Sequence, residues 1–131
     1  MEKPSILIIE DDRHMSNYLQ NILRLRGYAA CAVGNGAEGL ALLEKNRFDI
    51  VLIDLGLPDI PGVKVMREVK AIHRFTEAIV ITGNTSLDAA VECMKQGASD
   101  YLTKPLDCDK LFASIDSAVE NIRRCGVFSF I

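Results

Sequence analysis

Short apolar runs that each break off at a polar residue, with a helical pattern between one run and the next, constrain this chain more than any other feature. Ser5-Ile6-Leu7-Ile8-Ile9 runs into Glu10-Asp11-Asp12, and Phe48-Asp49-Ile50-Val51-Leu52-Ile53 ends on Asp54. Ala78-Ile79-Val80-Ile81 runs into Thr82-Gly83-Asn84, and Asp100-Tyr101-Leu102-Thr103 delivers Lys104 before Pro105. Strands this continuously apolar are covered on both faces, the condition of a parallel sheet lying between layers of helices. Such sheets bind ligands in the crevice beyond the carboxyl ends of their strands. The four polar endings are therefore expected to meet in one crevice.

Strand and helix patterns alternate five times with short connections, which predicts an α/β fold, doubly wound on a five-stranded parallel sheet. The predicted strands are 5–10, 28–33, 49–54, 78–82 and 99–103. The first helix, about 13–26, carries Met15, Leu19, Ile22 and Leu23 at helical spacing and stops at Gly27. The second, about 36–46, has Asn35 as cap and Glu38 three residues on. The third, about 62–73, carries Val65, Met66, Val69 and Ile72. The fourth, about 86–96, follows the cap region Thr85-Ser86-Leu87-Asp88; the spacing predicts that it buries Leu87, Val91 and Met94. The fifth, about 107–124, opens on Asp107 and buries Leu111, Ile115, Ala118 or Val119, and Ile122.

A length of 131 residues suits one domain, and the 49% hydrophobic and 25% charged fractions are those of a soluble globular chain. The net charge of −3, with a pI near 5.3, argues against nucleic acid as a direct partner. Cys31, Cys93, Cys108 and Cys125 show no metal-ligand spacing and read as reduced thiols of a cytoplasmic protein. There is no apolar run long enough to span a membrane and no signal peptide pattern. His14 and His73 are expected to be solvent-exposed.

Phosphorylation of a carboxylate needs a nucleophilic Asp, a divalent ion, a cation for the phosphoryl oxygens and a hydrogen-bond donor to them. Asp54 fits the nucleophile. Glu10, Asp11 and Asp12 offer hard oxygen ligands for Mg²⁺, with Asp12 better placed to cap the first helix. Lys104 supplies the point charge and Thr82 the hydroxyl.

At these positions the sequence resembles the receiver domain of two-component response regulators, the CheY-like superfamily. The resemblance rests on Ile8-Ile9-Glu10-Asp11-Asp12, on Leu52-Ile53-Asp54-Leu55-Gly56-Leu57-Pro58-Asp59-Ile60-Pro61-Gly62, on Ile81-Thr82-Gly83 and on Asp100-Tyr101-Leu102-Thr103-Lys104-Pro105. It covers residues 5 to about 124, and the step from Asp54 to Thr82 is most similar to nitrogen-regulation (NtrC-type) receivers. It implies a flavodoxin-like fold with strand order 2-1-3-4-5. It further implies Asp54 as phosphoacceptor, Asp11 as direct Mg²⁺ ligand, Glu10 as the acid holding the metal through water, and the Gly56 carbonyl as a further ligand. Mn²⁺ is an expected substitute for Mg²⁺. Thr82 would be the switch hydroxyl, Tyr101 the aromatic that follows it, and Lys104 the phosphoryl-binding lysine, with a cis peptide at Lys104-Pro105. Gly56 lacks the larger side chain often found there, and Asn84 is the other expected influence on hydrolysis of the phosphoaspartate.

Two rivals are weaker on the residues. A haloacid-dehalogenase phosphatase needs a second Asp two positions after the nucleophile, where this chain has Gly56. A flavin module needs a Ser/Thr/Gly-rich phosphate loop after the first strand, where Glu10-Asp11-Asp12 would repel phosphate. The expectation is a signalling domain over 1–125, not an enzyme acting on outside substrates, with a short apolar tail at 126–131 and no output domain. Its expected partner is a sensor histidine kinase or histidine phosphotransfer protein, and on activation a homodimer through the fourth helix, fifth strand and fifth helix.

Overall fold

Alternation along the strands splits the core into two apolar layers, one on each face of a single sheet. The structure is a computed structural model that describes residues 3–83 and 86–129, with side chains through Arg124. Asn84, Thr85 and the side chains of Cys125, Val127 and Phe128 lie outside the described residues, as do Phe130 and Ile131 entirely. Among the described residues the order is β1 (Ser5–Ile9), α1 (Arg13–Leu25), β2 (Ala29–Val33), α2 (Gly36–Lys45), β3 (Ile50–Ile53), α3 (Gly62–Ile72), β4 (Glu77–Thr82), α4 (Leu87–Lys95), β5 (Asp100–Thr103) and α5 (Cys108–Ser129).

The strands are parallel in the order β2-β1-β3-β4-β5, as expected for the flavodoxin-like topology. Successive side chains of a strand point to opposite faces. Ile6 and Ile8 of β1, Ile50 and Leu52 of β3, and Ile79 and Ile81 of β4 meet Leu19 and Leu23 of α1 and Leu111 and Ile115 of α5. Leu7, Ile9, Val51, Ile53 and Val80 meet Leu43 of α2, Val65, Met66 and Val69 of α3, and Cys93 of α4. Gly27 and Gly97 take positive φ after α1 and α4, the left-handed stop that a Cβ would strain.

Three expectations are corrected. The α4 face is reversed: Leu87 is 76% exposed and Val91 and Met94 are each more than two-fifths exposed, whereas Cys93 is fully buried. Cys93 joins Ala98 and Tyr101 in the apolar layer on this side of the sheet, while the larger residues of α4 face outward. His73 is half-buried, not exposed, because its Nε2 lies 2.7 Å from the Leu43 carbonyl oxygen and joins the end of α3 to α2. The last helix runs on to Ser129, since a single glycine at 126 weakens a helix by only about 1 kcal/mol and does not forbid it.

Candidate functional site

The strand register brings the polar endings level. Asp54 N–H donates to the Ile9 carbonyl at 3.0 Å, and Lys104 N–H donates to the Thr82 carbonyl at 2.8 Å. Glu10 and Asp54 thus leave adjacent parallel strands side by side, and both are buried. Asp11, one residue further out, is exposed. One carboxylate oxygen from each of Glu10, Asp11 and Asp54 lies within 4.8 Å of the others, a donor set that fits a hard divalent cation. Asp12 stands apart from them and caps α1, accepting from His14 N–H and Met15 N–H.

The Asp54 carboxylate is held at both oxygens. Gly56 N–H donates to Oδ1 at 3.1 Å, and Lys104 Nζ donates to Oδ2 at 3.3 Å. Lys104 also donates to Glu10 Oε1 at 2.6 Å. Burial pushes the Asp54 carboxyl up, but the hydrogen bond shared with Glu10, the Gly56 N–H and the Lys104 charge outweigh it and hold the group below the ordinary carboxylate range. Burial, with the same hydrogen bond to Asp54, pushes Glu10 up to about 7. Burial alone would lower Lys104; its bonds to Glu10 and Asp54 reverse that and raise it. The site therefore presents an ionised Asp54 beside a lysinium, with Glu10 as the group that keeps a proton near neutrality.

A cavity of about 420 Å³ opens over Asp54 and is lined by Leu55, Gly56, Thr82, Gly83 and Lys104 as well. Thr82 is buried at the end of β4. A Cβ on Gly56 would meet only Asp54 Oδ1, at 3.8 Å, so nothing at that position narrows the mouth. Tyr101 is not part of this lining. It is half-buried on β5 and packs with Cys93 and Ala98 beneath α4, where burial raises its phenol. The peptide Lys104-Pro105 is cis, as expected.

Two residues here escaped the sequence reading. Gly62 opens α3 against the end of β3: a Cβ there would fall 2.4 Å from Leu55 Cα and 2.7 Å from the Asp54 carbonyl oxygen. The signal was available, since a Gly after Pro61 at a helix start marks a close approach of backbone. Asp59, in the loop between β3 and α3, reaches the N-terminus of α2 through both carboxylate oxygens. Nothing in the local pattern Leu57-Pro58-Asp59 distinguishes that from a turn-forming Asp.

The sequence model of the response regulator receiver domain matches residues 6–116. The chain is 35% identical over 122 residues to the transcriptional regulatory protein ZraR of Klebsiella oxytoca, across 93% of this chain and 28% of that protein. It is 31% identical over 121 residues to the DNA-binding transcriptional regulator NtrC of Escherichia coli (strain K12), across 92% of this chain and 26% of that one. It thus spans about a quarter of the length of these curated relatives. Its fold is similar to that of the CheY-like receiver domain protein from Methanospirillum hungatei JF-1, with a TM-score of 0.90 at 28% identity over 94% of this chain and 98% of that one.

Proposed function

The chain belongs to the response regulator receiver domain family, a signalling family phosphorylated on aspartate, and from that membership we propose that Asp54 is its phosphoacceptor. The observation that carries the reading is the double hold on the Asp54 carboxylate, by Gly56 N–H on one oxygen and Lys104 Nζ on the other, beside Glu10 and Asp11.

A carboxylate kept ionised is the competent nucleophile. Its oxygen attacks the phosphorus of a phosphohistidine in line; the new O–P bond forms as the N–P bond breaks, and the imidazole nitrogen keeps the electron pair. Receiver domains generally bind Mg²⁺ at an acidic pocket, and here Asp11, Asp54 and the Gly56 carbonyl would hold it, with Glu10 acting through water; Mn²⁺ suits the same oxygens. The ion would supply positive charge to the developing phosphoryl oxygens. Lys104 balances a second oxygen, and the Thr82 hydroxyl donates to a third. Autophosphorylation and dephosphorylation at Asp54 are the whole of the chemistry, so the domain over 1–125 acts as a switch.

The donor is a sensor histidine kinase or a phosphotransfer protein, in the cytoplasm. Among the described residues no helix is long and apolar enough to cross a membrane. Phosphorylation biases two conformations by contacts made in only one of them: Thr82 moves toward the phosphoryl group, Tyr101 follows, and the α4-β5-α5 face changes. The exposed Leu87, Val91 and Met94 of α4 favour self-association of that face as a symmetric dimer.

Acetyl phosphate with Mg²⁺ tests the assignment. Intact mass should show one phosphate on the wild type and none on Asp54→Asn; phosphate on the variant would remove Asp54 as acceptor.

A further inference from the structure

The amides at the start of a helix have no partners within it and must find them elsewhere. In α2 the local cap serves one of them: Asn35 Oδ1 accepts from Glu38 N–H at 2.8 Å. The first two amides are served from a distant loop. Gly36 N–H donates to Asp59 Oδ1 and Ala37 N–H to Asp59 Oδ2, both at 2.9 Å. These two bonds, ahead of any effect of burial, lower the Asp59 carboxyl. The charge also sits at the positive end of the helix dipole.

Packing makes the union close. A Cβ on Gly36 would fall 2.8 Å from Val65 Cγ2, 3.2 Å from Ile60 Cβ and 3.4 Å from Asp59 Oδ1. Only a glycine lets the end of α2 descend onto this loop. The loop's far end is fixed as well, where Gly62 N–H donates to the Leu55 carbonyl at 3.2 Å and Gly62 lies against the Asp54 backbone. Gly56, whose N–H holds Asp54 Oδ1, lies between Leu55, which Gly62 binds, and Asp59, which α2 binds.

We propose that Asp59 is a positioning residue for the Asp54 site: by clamping the 55–61 loop to the N-terminus of α2, it fixes the Gly56 backbone at the distance that metal and phosphoryl binding require. The inference rests on the reading of Asp54 as acceptor with Mg²⁺ beside it. Asp59 touches neither phosphoryl group nor metal. It acts through the loop, as outer partners orient the inner ligands of a metal site.

The test compares Asp59→Ala, Asp59→Asn and Asn35→Ala with the wild type. Asn35→Ala removes the local cap of the same helix end and leaves the loop alone, so it controls for weakening of α2. Mg²⁺ affinity is measured by calorimetric titration, phosphate uptake from acetyl phosphate by intact mass, and amide protection by hydrogen exchange. Asp59→Ala should weaken Mg²⁺ binding and slow phosphorylation by about tenfold. Exchange should quicken at Gly36, Ala37 and Gly56. Asp59→Asn, which keeps one acceptor oxygen, should fall between. Asn35→Ala should lower the melting temperature with Mg²⁺ affinity unchanged. Unaltered Mg²⁺ affinity in Asp59→Ala, or an equal loss in Asn35→Ala, overturns the proposal; where Asp59→Ala does not fold, the same outcomes are read from Asp59→Asn. Phosphate on Asp54→Asn would instead defeat the acceptor assignment and leaves the Mg²⁺ comparison standing.

Discussion

Glu10 should make the metal-free protein less stable as pH rises from acid to neutral. The group is 4% exposed, and burial together with Asp54 raises its carboxyl from 4.5 to about 7 in the folded state. Between those values the unfolded chain has released the proton and the folded chain still holds it. The unfolded state then binds fewer protons, so unfolding free energy falls as pH increases. The stabilisation is complete below 4.5 and is lost as pH passes through about 7. At about 1.4 kcal/mol for each pH unit, that window is worth about 3 kcal/mol. Neither neighbour competes within it. Asp54 is lowered, so its own contribution is present above 3.8 and disappears only at more acid pH. Lys104 is raised, and its contribution persists everywhere below 10.5.

Urea unfolding in the presence of a chelator, between about pH 5 and pH 8, measures the slope. Glu10→Gln keeps the side chain's shape and removes its proton equilibrium, so the variant should lose most of the pH dependence. If an ionised Glu10 helps to hold Mg²⁺ through water, the apparent affinity in the wild type should rise from pH 6 to pH 8, by less than about tenfold. A wild-type profile flat across the window, or a Glu10→Gln profile with the same slope, would refute the reasoning.

Gly62→Ala should cost about 2 kcal/mol or more, because its Cβ meets backbone that cannot step aside; Gly39→Ala should be close to neutral, its Cβ meeting the flexible end of Ile9 while the helix gains about 1 kcal/mol. Thermal melts should rank them so, and the reverse order would show that the loop yields. Val91→Glu should leave stability within about 0.5 kcal/mol of wild type, since the side chain faces solvent, yet block dimer formation with beryllofluoride in sedimentation. A large loss of stability would restore Val91 to the core. Asp11→Ala should weaken Mg²⁺ by about tenfold and Glu10→Ala by less, read by titration; the opposite ranking would mean that Glu10 is the direct ligand.

What the sequence made legible is what the fold makes unavoidable. Parallel strands buried on both faces leave continuous apolar runs, so the endings at Glu10, Asp54, Thr82 and Lys104 stood out and their convergence followed from the sheet. Roles that depend on one backbone brushing another were harder to see. Asp59 belongs to α2 only because the loop folds over Gly36, and His73 meets Leu43 only because α3 ends beside α2. Neither neighbour is near in sequence. Helix boundaries failed where nothing forces a stop: Gly97 ends α4 through positive φ, while α5 continues past Gly126 to Ser129.

The reversal of α4 is of another kind. Leu87, Val91 and Met94 recur at the spacing of a core stripe, and periodicity alone cannot tell a stripe facing the sheet from one facing water. Here the stripe faces water, and α4 turns Cys93 toward the sheet, into the layer that holds Ala98 and Tyr101. Within α4, Cys93 is the residue buried, whereas α3 buries Val65, Met66 and Val69 and α1 buries Leu19 and Leu23. Each such side chain holds its helix by about 1.5–3 kcal/mol. On the proposed reading, a charge-assisted hydrogen bond from Thr82 to the phosphoryl group would supply only a few kcal/mol. Of the helices around the sheet, α4 opposes a displacement of that size least. Its Ser86 cap lies four residues beyond Thr82, and its underside rests on Tyr101. The same slender packing that exposes the apolar stripe therefore makes α4 the element that a phosphoryl group on Asp54, as proposed, would move.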